Sequence, residues 1–391
     1  MIELKGKRNS AVIFADRIDK QTKTQIASLL REQAYSDSRI RIMPDTHSGK
    51  HAAVGTTMTL STRVNPSLVG VDIGCGMEVV FLAERNVDLE RLDRVIHSYI
   101  PCGARIHTEP KVSFDLSSLY CKNGVNVERA LCSIGTLGGG NHFIELDRAA
   151  DGTLILVIHS GSRQLGSDVL NFYQELAYRH QCKKIRRQIR REPSNGEYGE
   201  YFTNIKPRER ESVKLKREDA ILEGELFENY LNDIRTVTDF ADLNRKTMAN
   251  VICSKMGLTV MDRFSCVHNY IDTEHMILRK GAISARLGER VIIPLNMRDG
   301  AILATGIGNP EWNFSAPHGA GRACSRTDAR FAFTLEEFKR EMSGIYTTTA
   351  EIGSIDECPM AYKPPERILD FIGDTVSVTQ IIKPIYNFKS C

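Results

Sequence analysis

The sequence predicts an α+β fold, built as a single domain with a helical insertion, and three observations lead to it. Short apolar runs punctuated by glycine fill roughly the first 150 residues. Two long segments with apolar residues at three- and four-residue spacing occupy residues 168 to 260. Strand-like runs then return and continue to the C-terminus, with no repeat, low-complexity tract or clean linker to divide the chain. One domain over residues 1–391, with a helical insertion over 168–260, is the expectation.

Taken in order, VGTTMTL (54 to 60), MEVVFL (77 to 82) and HFIEL (142 to 146) read as strands. LILVIHSGS gives a continuous apolar strand from Leu154 to Ile158 that runs into His159, Ser160 and Gly161. Polar residues at the end of a buried strand are candidates for a site, because the sheet fixes their position. VLNFYQELAYRH (169 to 180) and the segment from Phe227 to Met256 are helical by periodicity, and the polar stretch from 191 to 211 between them reads as a loop or lid. MILRKG, RVIIPL and AILATG are strands again. TLEEFKREMSG is a helix, and VSVTQIIKPIYNF is the last strand.

With 41% hydrophobic and 26% charged residues, 391 residues suffice for a large buried core. No apolar run approaches the roughly 18 residues of a membrane span. The N-terminal MIELKGKRNSAVIF lacks the sections of a signal peptide, so a cytoplasmic protein is expected. The ten cysteines follow no zinc-ribbon or disulfide-scaffold spacing, which points to buried thiols, with Cys75 set apart by its surroundings. A net charge of +3 names no partner. The run from Lys183 to Arg191 is either the solvated face of a helix or a surface for nucleic-acid phosphates.

Six glycine-punctuated polar stretches carry the chemistry: MPDTHSGK, VGVDIGCGM, GTLGGGNHFIEL, VIHSGSRQLG, VHNYI and SAPHGAGRACSR. Asp72, Cys75, His142, His159 and His268 together form a mixed oxygen, nitrogen and sulfur set suited to two divalent ions with a bridging thiolate. Their spacing leaves zinc and manganese both open. GTLGGGNHF fits neither a Rossmann nor a Walker fingerprint. Glycine turns of this kind still offer backbone amides to phosphates, with Arg163 and Arg322 as cationic partners. His318, in a cramped glycine turn with arginines beyond it, suits nucleophilic attack on phosphorus.

In their order, PDTHSG, VGVDIGCGM, GTLGGGNHFIE, HSGSR, HNY, RKGAISAR, SxxHGAGR and PMAYK make the chain, from about residue 40 onward, resemble the RtcB family of RNA ligases. The resemblance implies mixed and antiparallel sheets around a deep metal-containing cleft. It also implies joining of RNA 2′,3′-cyclic phosphate or 3′-phosphate ends to 5′-hydroxyl ends, in tRNA splicing or RNA repair, using GTP and two manganese ions.

Position by position, the resemblance makes His318 the residue that takes GMP, with Asp45 and Arg163 as functional partners. It makes Asp72, Cys75, His142, His159 and His268 the metal ligands. Asn141, Glu145, Asn296, Gly319, Gly321, Tyr362 and Lys389 fall to the nucleotide, with Asn141 and Glu145 on one face of the HFIEL strand. RNA and GTP are the implied partners, no membrane is involved, and a helper protein for turnover is left open. Two departures stand out. IPLNMRDG replaces the family's IPGSMG, which puts Asn296 where a phosphate-contacting serine is expected, and Ala301 stands where a base-contacting serine is often found. The alternatives are a metal-dependent RNA end-processing phosphodiesterase without covalent guanylylation, and a non-catalytic RNA-binding protein.

Overall fold

The computed structural model describes residues 1–191 and 215–390, without side chains for 187–191. The stretch read from sequence as a loop or lid therefore lies outside the described residues from 192 onward, as does Cys391. The chain runs β1 (Ile2–Lys5), β2 (Ser10–Ile13), α1 (Lys20–Leu29), β3 (Ile40–His47), β4 (Val54–Thr59), β5 (Arg63–Val64) and β6 (Gly76–Leu82). Next come α2 (Leu89–Tyr99), α3 (Val127–Cys132), β7 (Phe143–Arg148), β8 (Leu154–Ser160) and α4 (Arg163–Arg191). After the undescribed segment follow β9 (Leu222–Glu223), α5 (Glu225–Met256), β10 (Val260–Val267), β11 (Asn269–Asp272), β12 (Ile277–Lys280) and β13 (Ala282–Ser284). The chain closes with β14 (Arg290–Asn296), β15 (Gly300–Gly306), β16 (Ser315–Pro317), α6 (Arg326–Ala332), α7 (Leu335–Glu341), α8 (Glu366–Ile372) and β17 (Val376–Lys389).

The strands form a six-stranded sheet, β1-β2-β3-β4-β12-β11, and a seven-stranded sheet, β10-β6-β8-β7-β17-β15-β14. Two short pairs, β13-β16 and β5-β9, accompany them. Pairing is antiparallel except between β2 and β3, so the architecture is α+β with mixed and antiparallel sheets.

The continuous apolar run of β8 has a physical reason. Leu154, Leu156 and Ile158 face α2 and α5, where Leu92, Ile96, Met248 and Ile252 pack. Ile155 and Val157 face the other way, toward Val291, Ile293 and Ile302. Side chains alternate across a strand, so a strand buried on both faces cannot alternate in polarity. Where β8 leaves the apolar layers it delivers His159 and Ser160.

Helix α5 is buried along much of its length and touches the site directly. Arg245, fully buried, donates from Nη1 to the carbonyls of Gly74 (2.8 Å) and Ser160 (2.9 Å). Asn244 accepts at Oδ1 from the amides of Gly135 (2.8 Å) and Thr136 (3.0 Å) and donates to Gly161 O (3.1 Å). One turn of this helix thus ties together three of the glycine-rich stretches. The chain crosses between the large sheets at Val267-His268-Asn269, from β10 into β11, and the cleft opens beside this junction.

Candidate active site

Two of the candidate ligands are each held by a backbone carbonyl that aims them. His142 and His159 both turn Nδ1 onto a backbone carbonyl, Leu137 O at 2.8 Å and Asn141 O at 3.2 Å. An N–H committed in this way leaves the lone pair on Nε2, as in histidines that ligate metals. Those Nε2 atoms approach Cys75 Sγ at 3.5 and 3.2 Å, and the three ligand atoms lie within 4.8 Å of one another. Nε2 of His142 also lies 3.0 Å from Asp72 Oδ2, and Nε2 of His159 lies 3.3 Å from Nε2 of His268. Lone pairs converging on a carboxylate and a thiol are satisfied by a divalent cation, so the residues present fit a metal centre.

The electrostatics agree. Burial pushes the His159 and His268 imidazoles well below their ordinary range, which keeps them neutral and ready to ligate. Burial opposes the charge on Asp72, but His142 and Cys75 outweigh it and hold that carboxyl below its usual range. Burial and then Asp72 push the Cys75 thiol up, a balance that a bound divalent cation reverses. Asp72 has room because residue 161 is glycine, where a Cβ would stand 2.0 Å from Asp72 Oδ1.

His318 follows β16, and its ring centroid is 4.8 Å from that of His268. Its Nδ1 lies 2.7 Å from Oδ2 of Asp45, a fully buried carboxylate on β3. A carboxylate accepts the Nδ1 proton, which leaves Nε2 with the lone pair. Gly321 makes this contact possible. It has φ +74°, and a Cβ there would lie 2.3 Å from the Asp45 carbonyl oxygen. Gly321→Ala is expected to cost about 1–3 kcal/mol of stability and to disturb the His318–Asp45 bond. Thermal melts and the NMR signal of the His318 imidazole measure both effects.

His318 lines a cleft of about 710 Å³ together with His159, His268, Asn141, Glu145, Asn296, Gly319, Gly321, Tyr362 and Lys389. Asn141 sits in the turn before β7 rather than on the strand, because its carbonyl is taken by His159 Nδ1 and Lys389 Nζ (3.0 Å). It and Glu145 nonetheless reach the same cleft. Asp72 and His142 lie outside the cleft lining, at the end of the ligand cluster away from His318, with Cys75 between His142 and His159. Arg163 joins that end rather than the His318 end. Its guanidinium donates to Gly103 O (2.7 Å) and Thr136 Oγ1 (3.2 Å) and packs on Gly138 beside His142.

A family model described as tRNA-splicing ligase RtcB matches residues 29–128 and 120–390. The chain belongs to the RtcB family. It is 30% identical to the RNA-splicing ligase RtcB of Escherichia coli K12, over 90% of each chain. It is 31% identical to RNA-splicing ligase RtcB1 of a second Escherichia coli strain, again over 90% of each. The tRNA-splicing ligase RtcB of Aeropyrum pernix is 25% identical, over 96% of this chain and 93% of its own.

Within this RtcB chain, the departures from the family pattern have a structural resolution. Asn296 faces the cleft, but its Oδ1 accepts from the amides of Arg298 (3.0 Å) and Asp299 (2.9 Å), and its Nδ2 donates to Asp299 Oδ2 (2.7 Å). The side chain is spent on the β14–β15 turn. Arg298 is paired with Asp299 and Glu341, so the two new charges compensate each other. Ala301 packs into the apolar layer among β14, β15 and β17 rather than lining the cleft. Arg322 borders the cleft, but donates to Asp356 O (2.6 Å), Cys324 O (3.1 Å) and Glu357 Oε1 (3.2 Å). In the structure it organises a loop rather than pointing a free charge at phosphate.

The sequence reading missed Glu357, which holds the far wall of the cleft. Its carboxylate accepts from Tyr362 Oη (2.5 Å) and pairs with Lys389 (2.8 Å), Arg326 (2.5 Å) and Arg322 (3.2 Å). Burial opposes its charge, but Lys389 and Arg326 overcome that and bring its pKa to about 2. Because this lies below the ordinary 4.5, the stabilisation is present above pH 4.5 and is lost as pH falls toward 2. Glu357→Gln leaves Lys389 buried without its counter-charge. It is expected to cost about 3–5 kcal/mol in urea unfolding at neutral pH and to flatten the acid limb of the stability curve. Asn244, Arg245 and Lys280 were also missed. Lys280 is buried with Nζ on Val69 O (2.9 Å), near Asp72 and Cys75. A polar residue inside a helical or strand pattern gave no signal that it faced a site.

Of the basic run on α4, Lys184 pairs with Glu223, and the side chains from Arg187 onward lie outside the described residues. No described helix is long and apolar enough to cross a membrane. Of the nine described cysteines, all but Cys182 and Cys324 are buried.

Proposed function

We propose that this chain is an RNA ligase that joins 2′,3′-cyclic phosphate or 3′-phosphate ends to 5′-hydroxyl ends, in RNA splicing or repair in the cytoplasm. GTP and two manganese ions serve it, and residues 1–391 act as one catalytic domain, with the helices of 168–260 as part of its scaffold. The observation that carries this reading is the Asp45–His318 hydrogen bond of 2.7 Å, one ring away from the convergent histidine and cysteine ligands. A structural histidine needs no buried carboxylate to orient it. A nucleophile does.

In this mechanism Asp45 holds the Nδ1 proton and Nε2 of His318 attacks the α-phosphorus of GTP. The phosphorus–nitrogen bond forms, the bond to the β-phosphate breaks, and pyrophosphate leaves. An RNA 3′-phosphate oxygen, freed by hydrolysis where the end was cyclic, takes the GMP and releases the imidazole. The 5′-hydroxyl then attacks the 3′-phosphate, and GMP departs as the phosphodiester closes. Asp72, Cys75, His142, His159 and His268 would hold the metals, with Cys75 between them. Bound there, divalent ions supply Lewis acidity to the phosphoryl oxygens. Lys389, Tyr362, Glu145 and Asn141 orient the nucleotide, Gly319 and Gly321 give it access to His318, and Arg163 attracts phosphate at the far end. Asn296 shapes this wall through its turn.

The test supplies an RNA with a cyclic phosphate end and a 5′-hydroxyl partner, with manganese and GTP together or each left out. Joining that requires both is expected. Opening of the cyclic phosphate without joining, and without label from α-phosphate-labelled GTP on the protein, would instead establish the phosphodiesterase alternative.

A further inference from the structure

Alternation along β7 puts Phe143, Glu145 and Asp147 on one face. Phe143 and Glu145 line the cleft. Asp147 is the next residue inward and is fully buried. Its ladder neighbours are Ile155 of β8 and Pro384 of β17, an apolar side chain and a residue with no N–H to give. No hydrogen-bond donor among the described residues reaches either oxygen of Asp147. The neighbouring acid on the same face is Glu145, two positions along β7, and the two carboxyls interact as a pair.

Two carboxyl groups bond to each other only when one keeps its proton. Burial and the neighbouring Glu145 push the Asp147 carboxyl well above the usual range, with nothing opposing them. Burial raises Glu145 as well, but there Asp147, Asn387 and Lys389 oppose it. Nδ2 of Asn387 donates to Glu145 Oε2 at 2.6 Å. From β8 the facing residues are Val157 and Ile155, which carry no charge. With an N–H donor on Glu145 and none among the described residues on Asp147, the proton of the pair resides on Asp147, and Glu145 is the acceptor. A carboxylate has about four lone-pair positions. Asn387 and Asp147 take two, which leaves two for a ligand in the cleft.

We propose that Asp147 is a positioning residue: it donates to Glu145 from behind, keeps it a fixed acceptor facing the cleft, and so sets the site's preference for a base edge with two adjacent N–H donors. Guanine presents such an edge through N1–H and its 2-amino group, whereas adenine presents a ring-nitrogen acceptor there. This inference rests on the nucleotide reading of the cleft.

The test measures GTP and ATP affinities of the full chain with manganese by titration calorimetry, for wild type, Asp147→Leu and Asp147→Asn. Wild type is expected to prefer GTP. Asp147→Leu should lose at least about tenfold in GTP affinity, the scale of a hydrogen bond to a charged acceptor, with ATP affinity unchanged. Asp147→Asn should keep the preference, because its amide N–H donates in place of the acid. Asp147→Val replaces the leucine variant if that one fails to fold. An apolar variant that binds like wild type would overturn the proposal. So would equal losses of GTP and ATP in the apolar and asparagine variants, since that pattern marks a role in packing alone. A wild type without guanine preference would overturn the nucleotide reading, and this inference with it.

Discussion

His318→Ala is expected to abolish covalent label from α-phosphate-labelled GTP and to lower RNA joining by at least about three orders of magnitude, the scale seen when a nucleophile is removed. Among the described residues no second imidazole takes the same position. His268, whose ring centroid is 4.8 Å away, belongs to the ligand cluster, and His47 turns Nδ1 onto the Asp45 carbonyl at 3.0 Å. Asp45→Asn separates orientation from nucleophilicity. It keeps the side-chain volume but no longer fixes the imidazole tautomer, so a loss of about 10²–10⁴-fold in the rate of labelling is expected, with GTP affinity little changed. Acid-labile label that persists on His318→Ala would overturn the assignment of the nucleophile.

Cys75→Ala is expected to lower manganese affinity by at least about 100-fold, beyond the 10–100-fold that follows loss of a residue merely supporting a ligand. Its sulfur is the atom that both His142 and His159 approach, so its removal opens the centre of the cluster rather than its edge. Manganese titration followed by electron paramagnetic resonance measures this directly, without relying on activity. Undiminished binding would exclude a bridging role for the thiolate.

The strands, the long helices and the cluster of polar residues at strand ends were legible because burial imprints a period on the sequence. LILVI read as a continuous apolar strand running into His159, and the structure buries that strand on both faces and brings His159 out where the layers stop. The ligand set was legible as residue types, each beside glycines that permit close approach. The work done by Arg322 was not legible. An arginine beside a glycine turn reads as a phosphate contact, yet the loop carrying Asp356 and Glu357 takes its hydrogen bonds. Asn296 is similar. Its amide looks available in the sequence, and the turn with Arg298 and Asp299 consumes it.

The sequence by itself determined the α+β class, the family resemblance and the candidate site residues, because periodicity and residue type are local properties. Only the tertiary structure decided which of those residues face one another. It set Asp45 of β3 against His318, 273 positions away, and placed Glu357 under Lys389 and Tyr362. It also buried Asp147 beside Glu145, with no hydrogen-bond donor to it among the described residues. Such pairings follow from how two sheets and a crossing helix pack, and long-range contacts of that kind leave no period in the chain.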